Sequence, residues 1–381
     1  MASSVARACS KTWASDALLG LIHIAWPCAS SSAGRTIHSP SRDTPVMSGC
    51  RAPPGYADAV DISLRPLTRG DIPGWADLLA RIEKVDRTGE HYGAADLEEE
   101  MANPEVVLGK DFIGAFDGPD LVGYYSVRPR GEAGGHFMLH VEGSVLPARR
   151  GQGIGTLLVA GMVKRASRAG AEIRRDLPAR LVSTGLTSNL GQADLLGSAG
   201  MRAERWGFRM RTPLHDLPPT QPVPDGYGIR TYDQSMASVL RETHNRAFRD
   251  HPNFTPWSEI TWKQFVTESR SFRPHLSFVV VLDGSDEIVA YLQTAEADAN
   301  LEATGRREAY VGRIGTLREH RGQGLATALL GHCLQVCRHT GYDEASLDVD
   351  SENPSGALSI YERAGFKVES RWTNYFLMVV P

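Results

Sequence analysis

The chain carries very little lysine: six residues of 381, against 35 arginines, a skew without functional meaning of its own. Cysteine is also scarce. Five residues, odd in number and unevenly placed, exclude a disulfide framework. Cys333 and Cys337 stand four apart on an expected helix and read as small core side chains rather than a metal pair, because no further ligands stand near them. A net charge of -4 leaves no basic excess to draw the chain to nucleic acid or to an anionic membrane. Apolar runs are short: residues 17–29 (ALLGLIHIAWPCA) fall well below the length that spans a bilayer. There is no metal-ligand constellation, no nucleophile triad and no aromatic-basic surface.

What is present is an ordinary globular composition, 41% apolar and 23% charged. The length exceeds one core and implies two domains. The Ser/Ala/Pro-rich residues 1–60 read as a disordered extension. Their apolar run is similar to a signal-peptide core, but His23, Trp26 and Pro27 interrupt it. Met47 is then the expected initiator and the cytoplasm the expected compartment.

The informative stretch is 310–326, YVGRIGTLREHRGQGLA. A β-prone run leads into Arg321, Gly322, Gln323 and Gly324, and a helical pattern starts at once. Glycine permits the positive φ and the close backbone approach that an anion site needs. The first turn of a helix offers unpartnered N–H groups and a favourable dipole. The stretch therefore predicts a phosphate or pyrophosphate cradle.

The cradle occurs twice. Arg150-Gly151-Gln152-Gly153-Ile154-Gly155 matches Arg321-Gly322-Gln323-Gly324-Leu325-Ala326 almost position by position, and 189–201 echoes 353–366. Strand and helix patterns follow one order on both sides of a Pro-rich connector, 213–226. In the first half strands are expected at 62–67, 111–115, 121–128, 136–146, 181–184 and 206–211. Helices are expected from Asp71, which can cap the first of them, and at 94–101, after 153 and at 192–198. The second half repeats this with strands at 227–232, 276–282, 288–295, 310–317, 345–350 and 375–380.

In this doubled strand–loop–helix context the residues resemble the GNAT superfamily of N-acetyltransferases, whose signature is Gln/Arg-x-x-Gly-x-Gly/Ala between the fourth strand and the next helix. The resemblance covers residues 61–381, and the tandem layout is similar to that of the mycothiol synthases. It implies an α/β (α+β) fold of two tandem acyl-CoA N-acyltransferase domains, each a mixed, mostly antiparallel sheet flanked by helices. The first domain would be 61–212, the linker 213–226, and the second, catalytic domain 227–381.

The resemblance further implies acetyl-CoA as cosubstrate, no metal, and a small-molecule amine as acceptor. Amides of Arg321, Gly322, Gln323, Gly324, Leu325 and Ala326 would hold the pyrophosphate, with Arg150, Gly151, Gln152, Gly153, Ile154 and Gly155 as their twins. Gly315, Thr316 and Leu317 would border the pantetheine, and a backbone N–H near Leu317 would polarise the thioester carbonyl. Asn353 would touch the cofactor, and Tyr361 would protonate the departing thiolate. In the first half Leu196 falls at the tyrosine's place, so that half keeps the loop without the acid. Glu308, which shares side-chain parity with Tyr310 and Gly312, is the candidate base. Asp348, Asp350, Glu142 and His251 are further candidates, while a solvated strand-end carboxylate is the plainer role for Glu308. Trp257 and Trp262 read first as packing side chains. Two alternatives stay open: a non-catalytic acyl-CoA-binding or sensor protein, and a mycothiol synthase proper.

Overall fold

The computed structural model describes residues 62–379 apart from 104, 250–253, 255 and 352–355. The expectations for 1–60, His251 and Asn353 therefore lie outside the described residues. The first half runs β1 (Ile62–Pro66), α1 (Ile72–Asp86), α2 (Ala94–Met101), α3 (Leu108–Asp111), β2 (Phe112–Asp117), β3 (Asp120–Ala133), β4 (His136–Val145), α4 (Ile154–Ile173), β5 (Ala179–Leu186), α5 (Leu190–Ser198) and β6 (Arg202–Pro213). The second runs β7 (Tyr227–Thr231), α6 (Ala237–Phe248), α7 (Glu259–Trp262), β8 (Phe278–Leu282), β9 (Ile288–Ala295), α8 (Asp298–Thr304), β10 (Glu308–Thr316), α9 (Leu325–His339), β11 (Glu344–Asp350), α10 (Ala357–Arg363) and β12 (Lys367–Val379).

These strands do not form two separate sheets. They make one twelve-stranded sheet in the order β1-β2-β3-β4-β5-β12-β6-β11-β10-β9-β8-β7. The last strand of each half sits beside the fifth strand of the other: β12 pairs with β5, and β6 with β11. Between them β6 and β12 pair antiparallel. Each half thus completes its sheet with the other's final strand, which makes the order palindromic. This explains why β6 and β12 run longer than the periodicity of either half alone predicts. Trp372 stands opposite Gly207 at the centre of that pair. A Cβ on Gly207 would lie 2.0 Å from the Trp372 ring, so only glycine lets the indole cover the strand.

Apolar side chains are buried on both faces. On one, α4 covers β3–β5 with Leu158 and Met162 against Val127, Val141 and Leu181. On the same face α9 covers β8–β11 with Leu329, Cys333 and Cys337, the packing expected of both cysteines. Among the described residues the other face has a helical cover only at its two ends: Trp75 and Leu78 of α1 over Phe112 and Tyr124, and Leu240 of α6 with Trp262 over Val279 and Tyr291. Each such side chain contributes about 1.5–3 kcal/mol on burial. The central strands between these covers carry charged groups, and Arg270 bridges the cleft to Asp96 of α2 at 3.0 Å. Asp71 does not cap α1. It accepts from Arg65 at 2.7 Å and from the Thr68 N–H at 2.8 Å, tying β1 to the turn before the helix.

Candidate active site

All neighbouring strands are antiparallel except two pairs, β4–β5 and β10–β11. Both parallel pairs part company after a few residues. The first is joined from Phe137↔Ala179 to His140↔Val182, and the second from Glu308↔Glu344 to Tyr310↔Ser346. Beyond those points each pair splays into a gap whose edges keep free backbone groups. At the mouth of each gap lies a glycine loop. Gly151 and Gly153 have φ of 75° and 82°, Gly322 and Gly324 of 78° and 83°, and a helix begins on the next residue. In α4 the first backbone bond is Leu157 N–H to Gly153 O, at 3.1 Å; in α9 it is Ala328 N–H to Gly324 O, at 3.0 Å. The N–H groups before them are available to an anion.

The loop arginines have another task. Arg150 donates from Nε to Val145 O at 3.1 Å and from its fork to Asp86 at the end of α1, at 2.7 Å. Arg321 donates to Thr316 O at 3.1 Å and to Ala247 O of α6 at 2.6 Å. Each guanidinium ties strand end, loop and helix together and leaves the anion to the backbone. Gln323 accepts from the Tyr227 hydroxyl at 3.0 Å, and Gln152 accepts from Arg149 Nε at 2.9 Å.

In the first half the gap opens into a chamber of about 600 Å³. It runs from Gly151 and Gly153 past Leu196 to Glu90, Glu142, Arg209 and Asp348, with Trp372 in its wall. In the second half Tyr361 of α10 is buried in the cluster that contains Leu317, Leu325 and Phe366. Burial pushes its phenol well above the ordinary tyrosine range, which keeps it protonated. Leu196 holds the corresponding place on α5 and is likewise buried.

The geometry narrows two expectations. The Leu317 N–H is already donated to Val289 O at 2.8 Å, so it cannot polarise a carbonyl in the gap. Strand alternation instead turns the backbone groups of Ile314 and Thr316 toward β11. Glu308 lies at the joined end of β10, where Arg211 donates to it at 2.8 Å and the Ser346 hydroxyl holds its other oxygen. Its carboxylate is occupied and sits away from the splayed segment. Of the remaining candidates, Asp348 is gripped by the Arg209 fork at 3.0 and 2.9 Å, and Asp350 is paired with Arg205. Glu142 accepts from the Tyr124 hydroxyl at 2.7 Å and is paired with Arg128.

Glu90 carries a signal that the sequence did not advertise. It follows α1, lines the chamber and stands 3.7 Å from Arg209. Enclosure pushes its carboxyl up to about 7; Arg209 pulls it down, and Glu142 and Asp348 add repulsion. Tyr310 donates to Asp348 at 3.3 Å, so one polar face connects the two gaps through Tyr310, Asp348, Arg209 and Glu90.

This geometry agrees with what the chain is similar to. The model of the acetyltransferase (GNAT) family matches residues 76–181 and 237–366, one stretch in each half, and the chain belongs to that family. It is an acyl-CoA-dependent N-acyltransferase. A mycothiol acetyltransferase of Thermobispora bispora is 30% identical over 271 residues, 70% of this chain and 82% of that protein. An N-acetyltransferase structure from Sphaerobacter thermophilus aligns with a TM-score of 0.68 at 24% identity, covering 84% of this chain and 96% of that one. A tandem GNAT protein of the clavulanic acid biosynthesis pathway aligns at 0.64 and 20% identity, over 84% and 99% of the two chains. These structures share the fold. Among the described residues no helix is long and apolar enough to cross a membrane, and no group of His, Cys, Asp and Glu is placed to hold a metal.

Proposed function

We propose that the protein transfers acetyl from acetyl-CoA to the amine of a small molecule, with the reaction in the second half. The observation that carries this reading is the splayed β10–β11 pair with its glycine loop and the protonated Tyr361 beside it. Acetyl-CoA supplies the acyl group as a thioester. Loop amides from Gly322 to Ala326 would hold its pyrophosphate, and backbone groups of Ile314 and Thr316 would border its pantetheine. The amine nitrogen bonds to the acetyl carbon as the carbon–sulfur bond breaks, and Tyr361 gives its proton to the leaving thiolate. The ammonium proton passes to the polar face, where Glu90, at about 7, is the carboxylate best tuned to accept it near neutral pH. Relatives named for mycothiol favour a small-molecule acceptor over a protein.

CoA release measured over a panel of amines tests this. Turnover by the wild type and its loss in Tyr361→Phe are expected; unchanged turnover in the variant removes Tyr361 from the mechanism.

One observation supports a second role for the first half. Its chamber is large enough for a pantetheine arm, yet Leu196 cannot give a proton. We read it as a site that holds acyl-CoA without turning it over. Calorimetry with acetyl-CoA should then give a stoichiometry of about two.

A further inference from the structure

Counted back from the loop glycines, Glu142 in β4 and Arg313 in β10 occupy the same register, nine residues before Gly151 and Gly322. Glu142 is paired with Arg128. Its twin has no such partner: among the described residues no carboxylate pairs with Arg313, although Arg205, Arg209 and Arg211 nearby each hold at least one. The Arg313 guanidinium lies 4.8 Å over the Trp257 ring. That ring is held in place, because Asn245 accepts from the Trp257 N–H at 2.9 Å and donates to its carbonyl at 3.1 Å. Beside Arg313 on β9 is Gln293, which is 3% exposed and whose amide N and O both lack a partner. The two side chains line a hollow of about 20 Å³ together with Ser269, Ser271 and Tyr310.

We propose that the acceptor amine carries a carboxylate, and that Arg313, laid on Trp257 and backed by Gln293, binds it. The proposal rests on the acetyl-transfer reading and narrows its acceptor class. A half-buried cation without a counter-charge and a buried amide without partners both cost free energy. A carboxylate relieves the cation and the amide's donor side, its two oxygens meeting the guanidinium fork and a lone pair remaining for the glutamine NH2. Burial weakens the guanidinium's hold on its proton, and only Tyr291 and Tyr310 offset this, so a ligand anion adds the missing charge. The hollow is small and lined by polar groups, which suits a terminal group of the acceptor. Tyr310 lines the hollow and reaches Asp348, so the rest of the acceptor is led toward the polar face where its amine reacts.

Binding of N-acetylglycine and of N-acetylglycinamide, measured by calorimetry, separates this proposal from the parent reading. Wild type is expected to bind the carboxylate probe roughly tenfold or more tighter than the amide. Arg313→Met should erase the preference, and Arg313→Lys should keep part of it, since a point charge replaces the fork. Equal binding of the two probes by wild type, no binding of either, or N-acetylglycine affinity unchanged in Arg313→Met would overturn the proposal. If Arg313→Met fails to fold, the comparison of wild type with Arg313→Lys decides. Inorganic phosphate, titrated with CoA present so that the glycine loops are filled, serves as the competing oxyanion, and tighter binding of phosphate than of N-acetylglycine under that condition also overturns the carboxylate assignment. Failure of the parent reading shows separately, as no CoA release with any amine.

Discussion

The two halves of the molecule share a scaffold and divide its chemistry. Both have the splayed parallel pair, the two positive-φ glycines and the bracing arginine. Tyr124 and Tyr291 even face their gap strands at the same register, opposite Ser144 and Gly315. Two of the side-chain differences bear on the chemistry. Where the second half has Tyr361 the first has Leu196, and where the second has Arg313 the first has Glu142. The phenol and the Arg313 cation, which has no carboxylate partner among the described residues, lie in one half and the open chamber in the other, while Glu90 stands between them. A duplicated fold keeps its backbone devices, which both copies need to stay folded, and lets the side chains in the gap diverge.

The comparison breaks most visibly at Tyr361. Tyr361→Phe should lower kcat by about 10²–10⁴-fold while acetyl-CoA still binds in calorimetry. If it loses nothing, Tyr361 is not the acid, and this difference between the halves does not decide where the reaction runs.

Glu90→Gln comes next, with an expected fall of about 10²-fold in kcat/KM and loss of the pH dependence centred near 7. The rate of the wild type should rise as pH passes through that value, because only the ionised carboxylate accepts a proton. Stability runs the other way. A carboxyl whose folded pKa is raised above its unfolded value penalises the fold as pH rises through that interval. Glu90→Gln should therefore raise Tm relative to wild type at pH 8, with little change at pH 4, as read by thermal denaturation.

Gly207→Ala tests the seam between the halves. The new Cβ would strike the Trp372 ring, and the expected cost is about 1–3 kcal/mol in a denaturant titration. A mutant as stable as wild type would mean that the indole can leave the strand freely. The mildest change is Leu196→Phe, which fills the first chamber. It should reduce the acetyl-CoA stoichiometry from about two to about one.

Much of this was legible in the residues. The doubled Arg-Gly-Gln-Gly loop placed both gaps, because a glycine pair before a helical pattern is a local signal. Cys333 and Cys337 were read as core for the same reason, from helical spacing alone. The strand exchange was not legible: β6 and β12 have an ordinary alternation, and nothing in 202–213 or 367–379 states which neighbour each will choose. Glu308 was misplaced because parity along a strand gives the face but not the depth at which β10 and β11 separate. The N–H expected near Leu317 falls to its neighbour Thr316, because N–H direction alternates along a strand. Glu90 was invisible because its environment is built from Arg209 and Asp348, more than a hundred residues away in sequence.

The seating of β12 beside β5 has a consequence for how the chain acquires its structure. During synthesis the first half emerges with β5 bare along the edge that β12 will cover, a row of unpaired backbone groups. At about 5–20 residues per second, roughly ten to forty seconds pass before residues 367–379 follow. For that interval the first half is an unfinished sheet, and the last strand made is the one that seals the first domain begun.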